Sequence, residues 1–171
     1  KTKKIFNTVF ISNPNKNNIN NFKKIFVTPS VSLRNKKFQY LKNKSRLQRD
    51  LNVYMENIKN QKIIAITGTN GKSTTTKLIG DILKKNKVKT FVGGNIGEPL
   101  CNSIISNTKE KFHVIELSSY QLETIKNLKT EISIITNLAS DHLDRYNDIN
   151  DYINQKKNII TKKGVNIFSI D

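Results

Sequence analysis

Seven residues, Gly68-Thr69-Asn70-Gly71-Lys72-Ser73-Thr74, follow directly on the apolar run Ile63–Thr67, and this junction constrains the fold more than any other feature of the chain. A short, continuous apolar run suits a strand buried on both faces of a parallel sheet. Glycines let the backbone turn tightly and bring its N–H groups up to an anion with no side chain in between. Beyond Gly71 the pattern turns helical, with Leu78, Ile79, Ile82 and Leu83 on one side of a helix from about Ser73 to Lys85. The N-terminus of such a helix directs partial positive charge at the same anion. Gly71-Lys72-Ser73 then supplies a lysine for terminal phosphates and a hydroxyl for magnesium. The general phosphate-loop pattern has a further glycine five residues before the second one, and that position here is Ile66. An ordinary strand-to-helix turn built from Gly, Asn and Ser would not account for Gly-Lys-Ser-Thr in this place.

The same alternation continues downstream. Strands are expected over Lys87–Val92, Phe112–Leu117, Glu131–Asn137 and Val165–Ile170, with helices over Glu98–Ile105 and Ile149–Thr161. Strands alternating with helices predict an α/β fold, a mainly parallel sheet flanked by helices on both faces. Ligands of such sheets sit beyond the carboxyl ends of the strands. Four segments fall there: Gly68–Thr74, Gly93–Gly97, Glu116–Ser119 and Asn137–Asp144. Residues 1–60 read differently. Ile5–Ile11 follows basic residues but is short, contains polar residues and lacks a cleavage site, so it reads as a strand and not a signal peptide. Asn13–Asn21 reads as a loop, Lys24–Thr28 as a strand stopped by Pro29, and Leu41–Ile58 as an amphipathic helix. The expected division is therefore 1–60 and 61–171.

The formal charge is +17, which raises the question of nucleic acid. The lysines are scattered along the chain, are not interleaved with aromatics as a base-stacking surface would be, and accompany abundant Asn and Ile. The expectation is no nucleic-acid partner, with a basic surface that favours anionic substrates such as nucleotides. No apolar run approaches the ~18 residues of a membrane span, so no membrane is expected. The single cysteine, Cys101, excludes an internal disulfide and a cysteine-based zinc site and fits a cytoplasmic location. Cys101 and the mid-strand His113 read as packing residues.

Thr67-Gly68-Thr69-Asn70-Gly71-Lys72, Gly93-Gly94-Asn95-Ile96-Gly97, Glu116-Leu117-Ser118-Ser119-Tyr120-Gln121-Leu122-Glu123 and Asp141-His142-Leu143-Asp144-Arg145-Tyr146 together resemble the Mur ligase family, in order and spacing its D-glutamate-adding branch. The resemblance covers roughly residues 60–171. Upstream only Phe26-Val27-Thr28-Pro29-Ser30-Val31 resembles a Ser-Pro-Gly-Ile turn of the family's first domain, with Ser30 in place of the glycine. The resemblance implies a P-loop-type central domain preceded by a reduced N-terminal segment, part of a substrate-binding domain with its linker. It implies ATP-dependent amide formation through an acyl phosphate, with UDP-N-acetylmuramoyl-L-alanine and D-glutamate as substrates, in peptidoglycan precursor synthesis. It also implies two magnesium sites and a monomer.

Residue by residue, Gly68 to Thr74 would bind ATP, with Lys72 on the γ-phosphate. Glu116 ends a strand beside the loop, where a carboxylate is a hard oxygen ligand for magnesium or else caps nearby N–H groups. Asn95 either hydrogen-bonds substrate or serves turn geometry. His142 is implied near the acyl phosphate, the substrate and the second magnesium. Lys156 aligns with a lysine that the family carbamylates, and the carbamate would ligate magnesium; Lys157 next to it leaves a one-residue slip open. Ligases of this family have three domains, so a chain of 171 residues that begins at Lys1 is expected to be a fragment, not competent alone. The alternatives are a nucleotide-binding remnant without ligase activity and another amide ligase of the family, of the folylpolyglutamate or cyanophycin type.

Overall fold

The computed structural model describes residues 22–41, 46–105, 110–125, 128–141 and 144–169. The expected strand over Ile5–Ile11 and loop over Asn13–Asn21 lie outside the described residues. The fold is organised around strand β3 (Lys62–Thr67), where alternate side chains leave opposite faces. Ile64 and Ile66 pack under helix α2 (Lys72–Lys85), joined by Val114 and the partly buried Ile79 and Leu83, whereas Leu78 and Ile82, expected on the same side, stand exposed because the buried stripe runs through Thr76 and Gly80. Ile63 and Ala65 face the other way, into a core that holds Leu51, Tyr54, Ile115, Leu122 and Ile159. Burial on both faces explains the unbroken apolar run.

Strands β4 (Thr90–Gly94), β5 (Phe112–Glu116), β6 (Ile132–Ile135) and β7 (Val165–Phe168) complete a five-stranded sheet in the order β4-β5-β3-β6-β7. Every pairing in it is parallel. Parallel neighbours need crossover connections. Helix α2 carries one across one face, and α5 (Ile149–Lys156) with the 3-10 turn Lys157–Ile159 carries another. Asp148 caps α5, its carboxylate accepting from the N–H of Asp151 at 2.8 Å. The expected α/β class with a parallel sheet is what the chain adopts.

Boundaries moved for identifiable reasons. The strand expected over 24–28 shortens to β1 (Ile25–Phe26), which pairs in parallel with β2 (Leu47–Gln48). That pairing takes Leu47 and Gln48 out of the expected helix over 41–58, leaving α1 (Asp50–Asn57). The helix expected from Glu98 is reduced to α3 (Asn102–Ile105), because Glu98 is held extended against Gly93, with the N–H of Gly94 donating to its carbonyl at 2.8 Å. A short helix, α4 (Ser119–Leu122), was not foreseen; the Ser118 side chain accepts from the N–H of Gln121 at its start. Helix α1 precedes the large sheet in sequence yet contributes Leu51 and Tyr54, both fully buried, to its core.

Candidate active site

The carboxyl ends of β3, β5 and β6 meet around the loop 68–71. Gly68 has φ 153° and Gly71 φ 78°, a backbone that side chains rarely adopt. A Cβ on Gly68 would fall 1.9 Å from Thr136 Oγ1, so only glycine lets the loop pass this close to β6. Gly71 provides no side-chain cap for the 14-residue helix α2, which leaves the first-turn N–H groups directed at the loop.

The end of β6 holds the loop in shape. Asn137 Oδ1 accepts from the N–H of Thr69 at 3.2 Å and of Asn70 at 2.9 Å. Thr136 Oγ1 and Asn137 Nδ2 donate to the carbonyl of Asn70 at 2.6 and 3.2 Å. Thr69 Oγ1 donates to the carbonyl of Ala139 at 3.1 Å and lies 3.2 Å from the Tyr152 hydroxyl. Lys72 Nζ donates to the carbonyl of Thr69 at 2.7 Å, folded over its own loop.

Glu116, only 1% exposed, stands beside Lys72 and its neighbours at the end of β5. Ser73 Oγ donates to its Oε2 at 2.8 Å and Asn95 Nδ2 to its Oε1 at 2.9 Å. Its partners among the described residues are thus side chains from two other predicted site segments. The backbone adds to this junction: the N–H of Asn95 donates to the Glu116 carbonyl at 2.9 Å. Ser73 Oγ and the Glu116 carboxylate are adjacent hard oxygen donors, the set that magnesium takes. Among the described residues no group of three or more His, Cys, Asp or Glu side chains converges to hold a metal on its own.

Lys156, 2% exposed, reaches the same place from α5. Its Nζ donates to the carbonyl of Gly68 at 2.6 Å and to Thr67 Oγ1 at 3.4 Å, and lies 4.7 Å from the centre of the Tyr152 ring. Burial, with the nearby charge of Lys72 adding to it, pushes the ammonium down to about 7; Asp141 and Glu116 act in the opposite direction. Near neutrality a large share of this amine is therefore uncharged. Lys157 is exposed and does not share this environment.

The structure brings together Gly68, Thr69, Asn70, Gly71, Lys72, Ser73, Asn95, Glu116 and Lys156, which lie on four separate stretches of chain. Thr74 follows in the first turn of α2. His142 lies outside the described residues. Reading the sequence missed Thr136, Asn137 and Tyr152 as residues that shape the loop. Asn137 opens the ligand-side segment Asn137–Asp144, but nothing in its type distinguishes a loop tether from a turn residue. His113 is confirmed as internal: it is 1% exposed, with Nδ1 2.8 Å from the Tyr54 hydroxyl.

A parallel sheet with a phosphate-type loop at its carboxyl edge, backed by a buried carboxylate, defines an α/β domain of the P-loop class. More particularly, residues 66–171 match the Mur ligase middle domain, and the chain belongs to that family. It is 44% identical over 121 residues to the UDP-N-acetylmuramoylalanine–D-glutamate ligase of Rickettsia prowazekii (strain Madrid E), covering 71% of this chain and 26% of that protein. It is 46% identical over 108 residues to the ligase of the same name from Geotalea daltonii, covering 63% and 24%. The chain thus spans about a quarter of the length of the curated relatives it matches. Among solved structures it resembles the MurF ligase from Thermotoga maritima in complex with ADP, with a TM-score of 0.57 at 19% identity, over 87% of this chain and 43% of that one. It also resembles UDP-N-acetylmuramoyl-L-alanyl-D-glutamate–2,6-diaminopimelate ligase, with a TM-score of 0.55 at 20% identity, over 75% and 33%.

Proposed function

We propose that this chain is the front of the ATP-binding domain of a cytoplasmic ligase that adds D-glutamate to UDP-N-acetylmuramoyl-L-alanine in peptidoglycan precursor synthesis. On this reading the segment before residue 60 belongs to the domain that receives the UDP-sugar. The observation that carries the reading is the glycine-shaped loop at 68–71 with Lys72, Ser73 and Glu116 packed against it. A carboxylate reacts poorly with an amine because its leaving group would be oxide. Transfer of the γ-phosphoryl group of ATP makes an acyl phosphate; the amine of D-glutamate then attacks the acyl carbon, and phosphate leaves.

The residues of this chain position groups and neutralise charge in that sequence. The N–H groups of Gly71 and of the first turn of α2 hold the phosphates, while Asn137 keeps those of Thr69 and Asn70 and so holds the loop in shape. Lys72 gives up its bond to the Thr69 carbonyl to reach the terminal phosphate. Ser73 and Glu116 would hold magnesium, which when bound neutralises phosphate charge during transfer. Asn95 keeps the Glu116 carboxylate oriented. The neutral amine of Lys156 is able to add carbon dioxide, giving a carbamate beside the loop that would serve as a further anionic ligand. His142 is assigned to the acyl phosphate by motif alone.

Titration of the chain with ATP and magnesium in a calorimeter tests the nucleotide site. Lys72→Ala is expected to weaken binding at least about tenfold, as loss of a charge-assisted contact to phosphate does. Glu116→Gln is expected to remove most of the magnesium dependence. Unchanged affinity in Lys72→Ala would sink the assignment of the loop.

A further inference from the structure

The lysines are scattered in sequence, but the topology of the sheet gathers them. Each strand of the large sheet begins at or just after an exposed lysine: in spatial order Lys89 before β4, Lys111 before β5, Lys62 opening β3, Lys129 before β6 and Lys163 before β7. Register aligns the first three, since Phe112 pairs with both Thr90 and Lys62. With neighbouring strands ~4.8 Å apart, the row runs about 20 Å along the amino edge of the sheet, at the opposite end from the phosphate loop. The last turn of α2 and the link to β4 add the exposed Lys84, Lys85 and Lys87. In these strand-start segments the acidic residues are Glu110, half-buried, and Glu131, exposed, against the exposed lysines of the row. No ion pair among the described residues engages any lysine of the row.

We propose that this lysine rim docks the protein peripherally on a lipid surface bearing anionic headgroups. Three observations favour a lipid plane over nucleic acid. The rim is made of lysines, point charges that suit diffuse negative charge, whereas planar recognition of phosphate favours arginine. All four arginines are engaged elsewhere: Arg34 with Asp151, Arg46 with the carbonyl of Phe22, and Arg49 and Arg145 with Glu123. The one aromatic side chain at the row, Phe112, is half-buried with Lys62 Nζ 5.9 Å from its ring centre, so no aromatic surface is offered to bases. Exposed apolar side chains border the lysines instead, Ile82 in the last turn of α2 and Val165 opening β7. Basic residues bordered by apolar ones are what an interfacial surface presents. This surface does not depend on the ligase assignment, and nucleotide binding at Lys72 can fail or hold independently of it.

Co-sedimentation of the full chain with vesicles made of equal parts phosphatidylglycerol and phosphatidylcholine tests the proposal, at ~0.1 M salt where the screening length is ~10 Å. Binding to these vesicles and not to pure phosphatidylcholine is expected. The combined variant Lys87→Glu, Lys111→Glu, Lys163→Glu should bind at least about tenfold more weakly, since each basic side chain near an anionic membrane adds to affinity. The same three positions changed to arginine should retain binding, which separates loss of charge from loss of fold. The variant Lys23→Glu, Lys36→Glu, Lys37→Glu makes the same change in net charge on the N-terminal segment and should lose less than about twofold. Absence of binding to anionic vesicles, equal losses in the two charge-reversed variants, or tighter binding to homopolymeric RNA than to vesicles would overturn the proposal.

Discussion

His113 is held between Tyr54 and Phe91, with ring centroids 5.9 and 5.2 Å away, and its Nε2 has no hydrogen-bond partner among the described residues. Burial lowers its pKa below the usual 6.5, against a smaller opposing effect of Glu110. The unfolded chain therefore binds the proton more readily than the folded one. Stability contributed by neutral His113 is present above pH 6.5 and is lost as pH falls from there through the folded pKa. Urea unfolding at pH 7 and pH 5 should show the loss, at most about 1.4 kcal/mol per pH unit from one group. His113→Gln should flatten the curve; an unchanged slope in that variant would place the acid sensitivity elsewhere. At this scale the sequence was legible where residue type dictates chemistry. Lys72 and Ser73 could be singled out at a glycine turn between strand and helix, and Glu116 at the end of a strand, and the fold does bring them together. Thr136 and Tyr152 could not, because their roles depend on which atoms the fold brings within 3.5 Å of the loop.

Between elements, the join of the N-terminal segment to the large sheet rests on a buried triad. Glu123, just beyond α4, accepts from Arg49 at 2.9 Å and Arg145 at 3.0 Å, with side chains 7%, 0% and 6% exposed. The two guanidiniums also donate to the carbonyls of Thr28, Pro29, Ser30 and Val31, and Arg145 lies over the Tyr120 ring at 3.7 Å. Removing the carboxylate would leave two buried cations facing each other. Glu123→Ala should cost roughly 3 kcal/mol or more in chemical denaturation, as loss of one partner of a buried ion pair does. A loss below about 1 kcal/mol would show the triad to be solvated. Helices and strands of the α/β unit were legible because their apolar periodicities are strong. Pairing of Leu47 with Ile25 was not, since a two-residue strand has too few residues to show a period.

Across the whole molecule, the parallel sheet sorts chemistry to its two ends: the phosphate loop, Glu116 and Asn95 at the carboxyl edge, lysines at the amino edge. The alternation of strands and helices revealed a parallel sheet but not its strand order, so the lysine row was invisible along the chain, because neighbours in the sheet are distant in sequence. The same arrangement bears on how the molecule comes to exist. The sheet contains no hairpin; its central strand pairs Lys62 with Phe112 and Ile64 with Ile132, partners fifty and sixty-eight residues away. Long loops must close before those contacts repay the entropy spent. Refolding from denaturant, followed by stopped flow, should therefore take milliseconds to seconds; a microsecond phase that recovers the full native signal would contradict it. A chain held for that long with Ile63–Ile66 unpaired exposes an apolar strand before any partner has arrived, and crowding by copies of itself during that interval becomes a hazard to its yield.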